Sequence, residues 1–216
     1  MKTSPSELPF GSFLVYPTRG HTELCQRVKR AEIAIKEDRL GPRPPERMPE
    51  YAARRLSEMP EANTLRAFFP PDAVLVPVPR SGVRQKGALW PAHRVAEALV
   101  AHGLGREIAD LLERHDAVRK SATAAVRPTP EDHRASLRVQ LPRFATTGPI
   151  VLVDDVVTRG ATLLGSAWRV KEALPGAELS AFAMARTLSF EEEIGSAVAP
   201  CLGRIRWDGK HVSREP

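Results

Sequence analysis

The run Ile150-Val-Leu-Val153, followed at once by Asp154 and Asp155, constrains this chain more than any other feature. Four successive apolar residues with no polar alternation read as a strand buried on both faces. Two carboxylates stand at its C-terminal end. A short loop with hydroxyls and a glycine, Val157-Thr158-Arg159-Gly160, then opens a helix expected over Ala161–Leu174 and closed by Pro175-Gly176. The same grammar recurs. Ala73–Val76 reads as a buried strand between Pro70-Pro71-Asp72 and Pro77, Trp90–His102 as a helix stopped by Gly103, and Glu178–Arg186 as a third strand. Strands alternating with helices imply an α/β fold, a mostly parallel sheet flanked by helices.

Elsewhere the signals are mixed. The opening is rich in proline and reads as irregular. Thr22 is placed to cap a helix over Glu23–Asp38, with Leu24, Val28, Ala31 and Ile35 on one face. Gly41-Pro-Arg-Pro-Pro45 ends it, and a second helix is expected over Glu50–Glu58. Arg106–Glu113 reads as a weaker helix or mixed segment. Arg114–Thr129 is polar, basic and aperiodic, which predicts a mobile loop, and Pro130–Leu137 opens a short helix. The tail from Arg204 to Ser213 alternates around Asp208-Gly209, a hairpin signal. The expected organisation is a helical N-terminal lobe or hood over 1–70, a core over 71–188, and a C-terminal helix/hairpin extension over 189–216.

The 216 residues suffice to bury a core without covalent staples. No apolar run approaches a membrane span, and Met1–Pro9 lacks the marks of a signal peptide, so a cytoplasmic location without membrane partners is the expectation. Cys25 and Cys201 are far apart and form no CxxC pair, which argues against a zinc ribbon or redox motif. A net charge of +6 favours polyanions, either nucleic acid or small phosphorylated ligands, and does not separate them.

In open α/β sheets, ligands bind where strands end. Backbone N–H groups of the Thr158–Thr162 loop and the helix N-terminus favour phosphate. Asp154 and Asp155 would repel phosphate but accept hydrogen bonds from vicinal hydroxyls, so the combination suits a ribose 5-phosphate. A Walker loop fails because Ser166 stands where Lys is required, and no GxGxxG follows a strand. The bland alternative is a buried strand whose acids merely cap the next helix.

The 13-residue stretch Ile150–Thr162 resembles the phosphoribosyl-diphosphate motif of type I phosphoribosyltransferases. Val76-Pro-Val-Pro-Arg80-Ser81-Gly82 is similar to the diphosphate loop of amidophosphoribosyltransferases and of the competence-protein ComF family. Arg114–Leu137 stands where that family has its flexible catalytic loop, and the resemblance covers about Pro71–Leu188. It implies a type I core. Asp154 and Asp155 would hold the ribose hydroxyls. Val157, Thr158, Arg159, Gly160, Ala161 and Thr162 would surround the 5-phosphate. Arg80, Ser81 and Gly82 would meet the diphosphate, with Lys120 and Arg114 as catalytic cations. Mg²⁺ would be held through substrate oxygens, with Asp154 and Asp155 its nearest protein groups. A homo-oligomer, a dimer, is also expected.

Departures from the pattern carry information. Arg159 stands where the family has Thr or Ser, and the ComF zinc cysteines are missing. Thr158 replaces an acidic residue of 6-oxopurine transferases, which disfavours hypoxanthine or guanine as acceptor. Transfer would need the leaving diphosphate neutralised and water excluded. His115 and His133 flank the basic loop and are base candidates, with a solvated surface position as the bland reading of each. Tyr16, Arg19 and His21 are candidates to contact a base. The function expected is transfer of phosphoribose to an unidentified nitrogenous acceptor. The alternative is a silent phosphoribosyl-diphosphate-binding regulator, linked to nucleic-acid metabolism or DNA uptake, although no nucleic-acid-binding motif is visible.

Overall fold

A computed structural model describes residues 5–119, 127–140, 148–188 and 194–216. In chain order these form β1 (Glu7–Pro17), α1 (Glu23–Lys36), α2 (Met48–Glu58), a 3-10 turn at Pro60–Ala62, α3 (Asn63–Arg66), β2 (Val74–Pro77) and α4 (Pro91–Ala101). There follow β3 (Glu107–Ile108), β4 (Leu112–Arg114), α5 (Pro130–Ala135), β5 (Leu137–Val139), β6 (Ile150–Val157), α6 (Ala161–Ala173), β7 (Leu179–Leu188), β8 (Val198–Trp207) and β9 (Val212–Glu215). Seven strands make one sheet in the order β3-β2-β6-β7-β1-β8-β9, and β4 and β5 pair separately. The strands from β3 to β1 are mutually parallel, and β8 and β9 are antiparallel. The α/β architecture with a mostly parallel sheet is therefore present.

The unbroken apolar run of β6 has its reason in the layering. Ile150 and Leu152 face one core with Val74, Val76 and the α6 residues Leu163, Leu164, Ala167 and Trp168. Val151 and Val153 face the other, with Leu75, Phe182 and residues of α2 and α4. A strand covered on both sides has no position to give to a polar residue until it reaches the sheet edge. Gly165 lets α5 lie against α6, since a Cβ there would come within 2.4 Å of the Pro130 carbonyl oxygen.

Three expectations change. The opening segment is not irregular: β1 is an interior strand, parallel to β7 and antiparallel to β8. Pro9, Gly11 and Ser12 hide it in the sequence. Gly11 lets α3 pack closely, since a Cβ there would lie 2.8 Å from the Leu65 side chain. The segment 1–70 thus supplies a sheet strand as well as α1, α2 and α3. Arg106–Glu113 is not helical but carries β3 and the start of β4. Arg114, assigned to a mobile loop, ends β4 and is buried. Thr22 does cap α1, its hydroxyl accepting from the Cys25 N–H at 3.2 Å. The tail hairpin is also present as β8–β9, and the described residues from 194 onward hold strands and no helix. No described helix is long and apolar enough to cross a membrane.

β1 feeds both cores, with Leu8 and Phe10 in one and Phe13 in the other. At about 1.5–3 kcal/mol per buried side chain, these three contribute roughly 5–9 kcal/mol, which rivals the whole net stability of an ordinary domain. A chain beginning at residue 18 is expected to lose its cooperative unfolding transition in circular dichroism. A cooperative melt retained by that truncation would show that the sheet stands without β1.

Candidate functional site

Two neighbouring parallel strands build the site. β2 and β6 pair in register, Val76 opposite Leu152 and Pro77 opposite Val153. The Val78 N–H extends the ladder to the Val153 carbonyl at 2.9 Å. Both chains therefore leave the sheet at the same edge, bringing Arg80–Gly82 and Asp154–Thr162 to one end of the fold. That end is where an open α/β sheet offers crevices to ligands.

β6 runs four residues past the expected strand end, so Asp154 and Asp155 lie within it, with Asp154 opposite Ala183 of β7. Both are half-buried. The Asp155 N–H donates to Asp154 Oδ1 at 2.9 Å. Burial, and next the adjacent Asp155 carboxylate, push the Asp154 carboxyl well above the usual carboxylate range. Each acid also senses a cation from a separate element. Arg114 interacts with Asp154, and Lys36 at the end of α1 with Asp155. Burial works to lower the Lys36 ammonium, but its ion pair with buried Glu32, together with Asp155, holds it above the ordinary lysine value. Tyr16, at the end of β1, is raised by burial and then by Glu32. Lys36 and Glu32 had no signal in the sequence beyond lying on an amphipathic helix.

Arg114 is placed beneath the β2 loop rather than in a lid. Its guanidinium donates to the carbonyls of Arg80 and Pro79 and to the Ser136 hydroxyl. Burial lowers its pKa to about 10, against the pull of Asp154. Ser81 is tied down from the other side, its carbonyl accepting from the Val118 N–H at 2.7 Å. The backbone of this loop is thereby fixed while the Arg80 side chain and Gly82 remain exposed. A cleft of about 710 Å³ opens beside it, lined by residues 79–90 with Asp110, Leu112, Glu113, Arg114 and Gln140. Trp90 braces its wall, donating from Nε1 to the Val78 carbonyl at 2.9 Å, with Arg84 stacked over the ring at 4.5 Å. Lys120 lies outside the described residues.

The second loop turns on Gly160, whose φ of 99° is left-handed and favours glycine. A Cβ there would also fall 2.7 Å from Ile205 of β8. Thr158 and Arg159 are exposed, Val157 and Gly160 buried, and α6 starts at Ala161. The Thr162 hydroxyl lies 3.3 Å from His133 Nε2. His133 is therefore not a solvated surface residue: it is 2% exposed, wedged between α5 and α6. Burial, and next the Arg114 charge, lower its pKa to about 4. It meets Thr162 as a neutral imidazole. His115 stays at the surface beside Asp116, 3.0 Å away. Among the described residues no three His, Cys, Asp or Glu side chains cluster to hold a metal ion.

A scan against protein-family models and a search of curated proteins find no match to this chain.

His133 should leave a mark on acid stability. Its folded pKa, about 4, lies below the ordinary 6.5, so on acidification the unfolded chain takes up the proton first. The stability it contributes is complete above pH 6.5 and is lost as pH falls towards 4, at up to roughly 1.4 kcal/mol per pH unit. His133→Gln is expected to flatten the denaturant-melt stability profile across that window. An unchanged slope would contradict a buried neutral imidazole.

Proposed function

We propose that this protein binds phosphoribosyl diphosphate with Mg²⁺ and transfers the phosphoribosyl group to a nitrogenous acceptor. The observation that carries the reading is the meeting, at one sheet edge, of an acid pair, a glycine turn opening α6, and a backbone-anchored loop after the neighbouring strand. Asp154 and Asp155 accept the ribose hydroxyls. The Thr158–Thr162 loop takes the 5-phosphate at the helix N-terminus. Arg80, Ser81 and Gly82 face the diphosphate, and Arg114 positions them through the Pro79 and Arg80 carbonyls. The resemblance of Ile150–Thr162 to the type I phosphoribosyltransferase motif points to the same ligand. Asp154 and Asp155 are the residues that would hold Mg²⁺ together with oxygens of the ligand, and the ion would supply neutralisation of the leaving diphosphate.

As diphosphate departs, positive charge develops on the ribose ring. Asp155, and Asp154 once a bound cation favours its ionised form, would steady that charge. Lys36, ion-paired with Glu32 on the N-terminal helix, adds a positive charge that both acids sense.

One observation favours a second reading, binding without turnover. Arg114, expected as a catalytic cation, is consumed by protein acceptors. The readings separate in one assay. The protein is incubated with phosphoribosyl diphosphate, Mg²⁺ and a panel of purine, pyrimidine and amine acceptors, and diphosphate release is followed. Transfer is expected, reduced by Asp154→Asn plus Asp155→Asn by roughly two orders of magnitude, the worth of one or two charge-assisted hydrogen bonds. Tight binding with no release on any acceptor would instead establish the silent regulator.

A further inference from the structure

The C-terminal hairpin reaches the phosphate loop. Ile205 of β8 is fully buried and fills the space under Gly160. Two residues on, the Trp207 ring meets Trp168 of α6 edge-on, with centroids 6.0 Å apart. The tip itself is a closed turn: Asp208 Oδ1 accepts from the N–H groups of Lys210 at 2.8 Å and His211 at 2.6 Å, and Gly209 has a φ of 93°. These contacts seat residues 208–211 against the beginning of α6.

Between tip and loop lies a pocket of about 130 Å³. Thr158, Arg159 and Ala161 of the loop line it together with Lys210 and His211 of the hairpin tip and with Arg127. Among the described residues no carboxylate pairs with Arg127, Arg159 or Lys210. Three cations brought together in a concavity at a helix N-terminus repel one another unless an anion joins them. The volume is ample for a single phosphate group.

We propose that the hairpin tip is the second wall of a phosphomonoester site, in which Lys210 Nζ and the His211 ring contact the phosphate directly. The C-terminal extension thereby selects a phosphorylated sugar over its unphosphorylated form. The identity of the sugar rests on the phosphoribosyl reading above, whereas the phosphate contact stands on the pocket alone.

Calorimetry on the full chain with Mg²⁺ tests this, using ribose 5-phosphate, ribose and inorganic phosphate as probes. Lys210→Gln and the double variant Lys210→Gln/His211→Gln alter exposed side chains. Arg206→Gln, on the same hairpin but outside the pocket, controls for net charge. Losing one charged contact is expected to weaken ribose 5-phosphate and inorganic phosphate by about tenfold, with Arg206→Gln near wild type. Equal affinity in wild type and the Lys210 variants, or equal weakening by Arg206→Gln, would overturn the hairpin contact and leave the phosphoribosyl reading intact. Inorganic phosphate bound in a Lys210-dependent way without preference for the ribose ester would uphold the contact and defeat the sugar assignment. No binding of any phosphate would overturn both.

Discussion

The parallel pairing of β2 with β6 is the constraint on which the rest depends. Two strands covered on both faces can carry only apolar side chains along their buried length, so every polar group of this region is driven to the edge where they end. Because the strands run the same way, that edge is shared. The acid pair after Val153 and the loop after Pro77 are neighbours by register, whatever their separation of more than seventy residues in sequence. Helices on both faces, and Gly165 admitting α5 against α6, hold the edge in one geometry.

That geometry carries an electrostatic cost. A carboxyl pushed well above its ordinary range beside a second acid is a group the fold places against its own stability. The Asp154 contribution runs opposite in sign to that of His133: stability tied to a raised acid is present below its unfolded pKa and lost as pH climbs through the folded one. Strain of this kind gathers at sites that wait for a partner. The surrounding cations are divided by role. Arg114 is buried beneath the loop after β2 and interacts with Asp154, whereas Lys36, Arg80, Arg159 and Lys210 are exposed.

Much of the core was legible because its signals are local. The apolar runs of β2, β6 and β7, the cap at Thr22, the stop at Pro175-Gly176 and the Asp208-Gly209 turn each state their structure within a few residues. What was illegible is set by distant contacts. β1 contains Pro9, Gly11 and Ser12, which argue against a strand locally, yet pairing with β7 on one side and β8 on the other makes it one. Arg114 and His133 both sit in a polar, aperiodic stretch that reads as loop. Their burial comes from the loop after β2 and from α6, neither adjacent in sequence. In the candidate site the acids and the glycine turn were readable as a motif. The contributions of Lys36, Glu32 and Lys210 were not, because helix and hairpin positions say nothing about which loop they will meet.

The proposed function requires that Asp154 and Asp155 receive the ribose of a phosphoribosyl diphosphate. Isothermal titration of the protein with that ligand, with and without Mg²⁺, addresses it most directly. The account predicts saturable one-to-one binding that needs the ion and disappears in Asp154→Asn/Asp155→Asn, while the variant keeps its cooperative melt. Absence of binding by the wild-type protein with Mg²⁺ present, or binding undiminished by the double substitution, would contradict it.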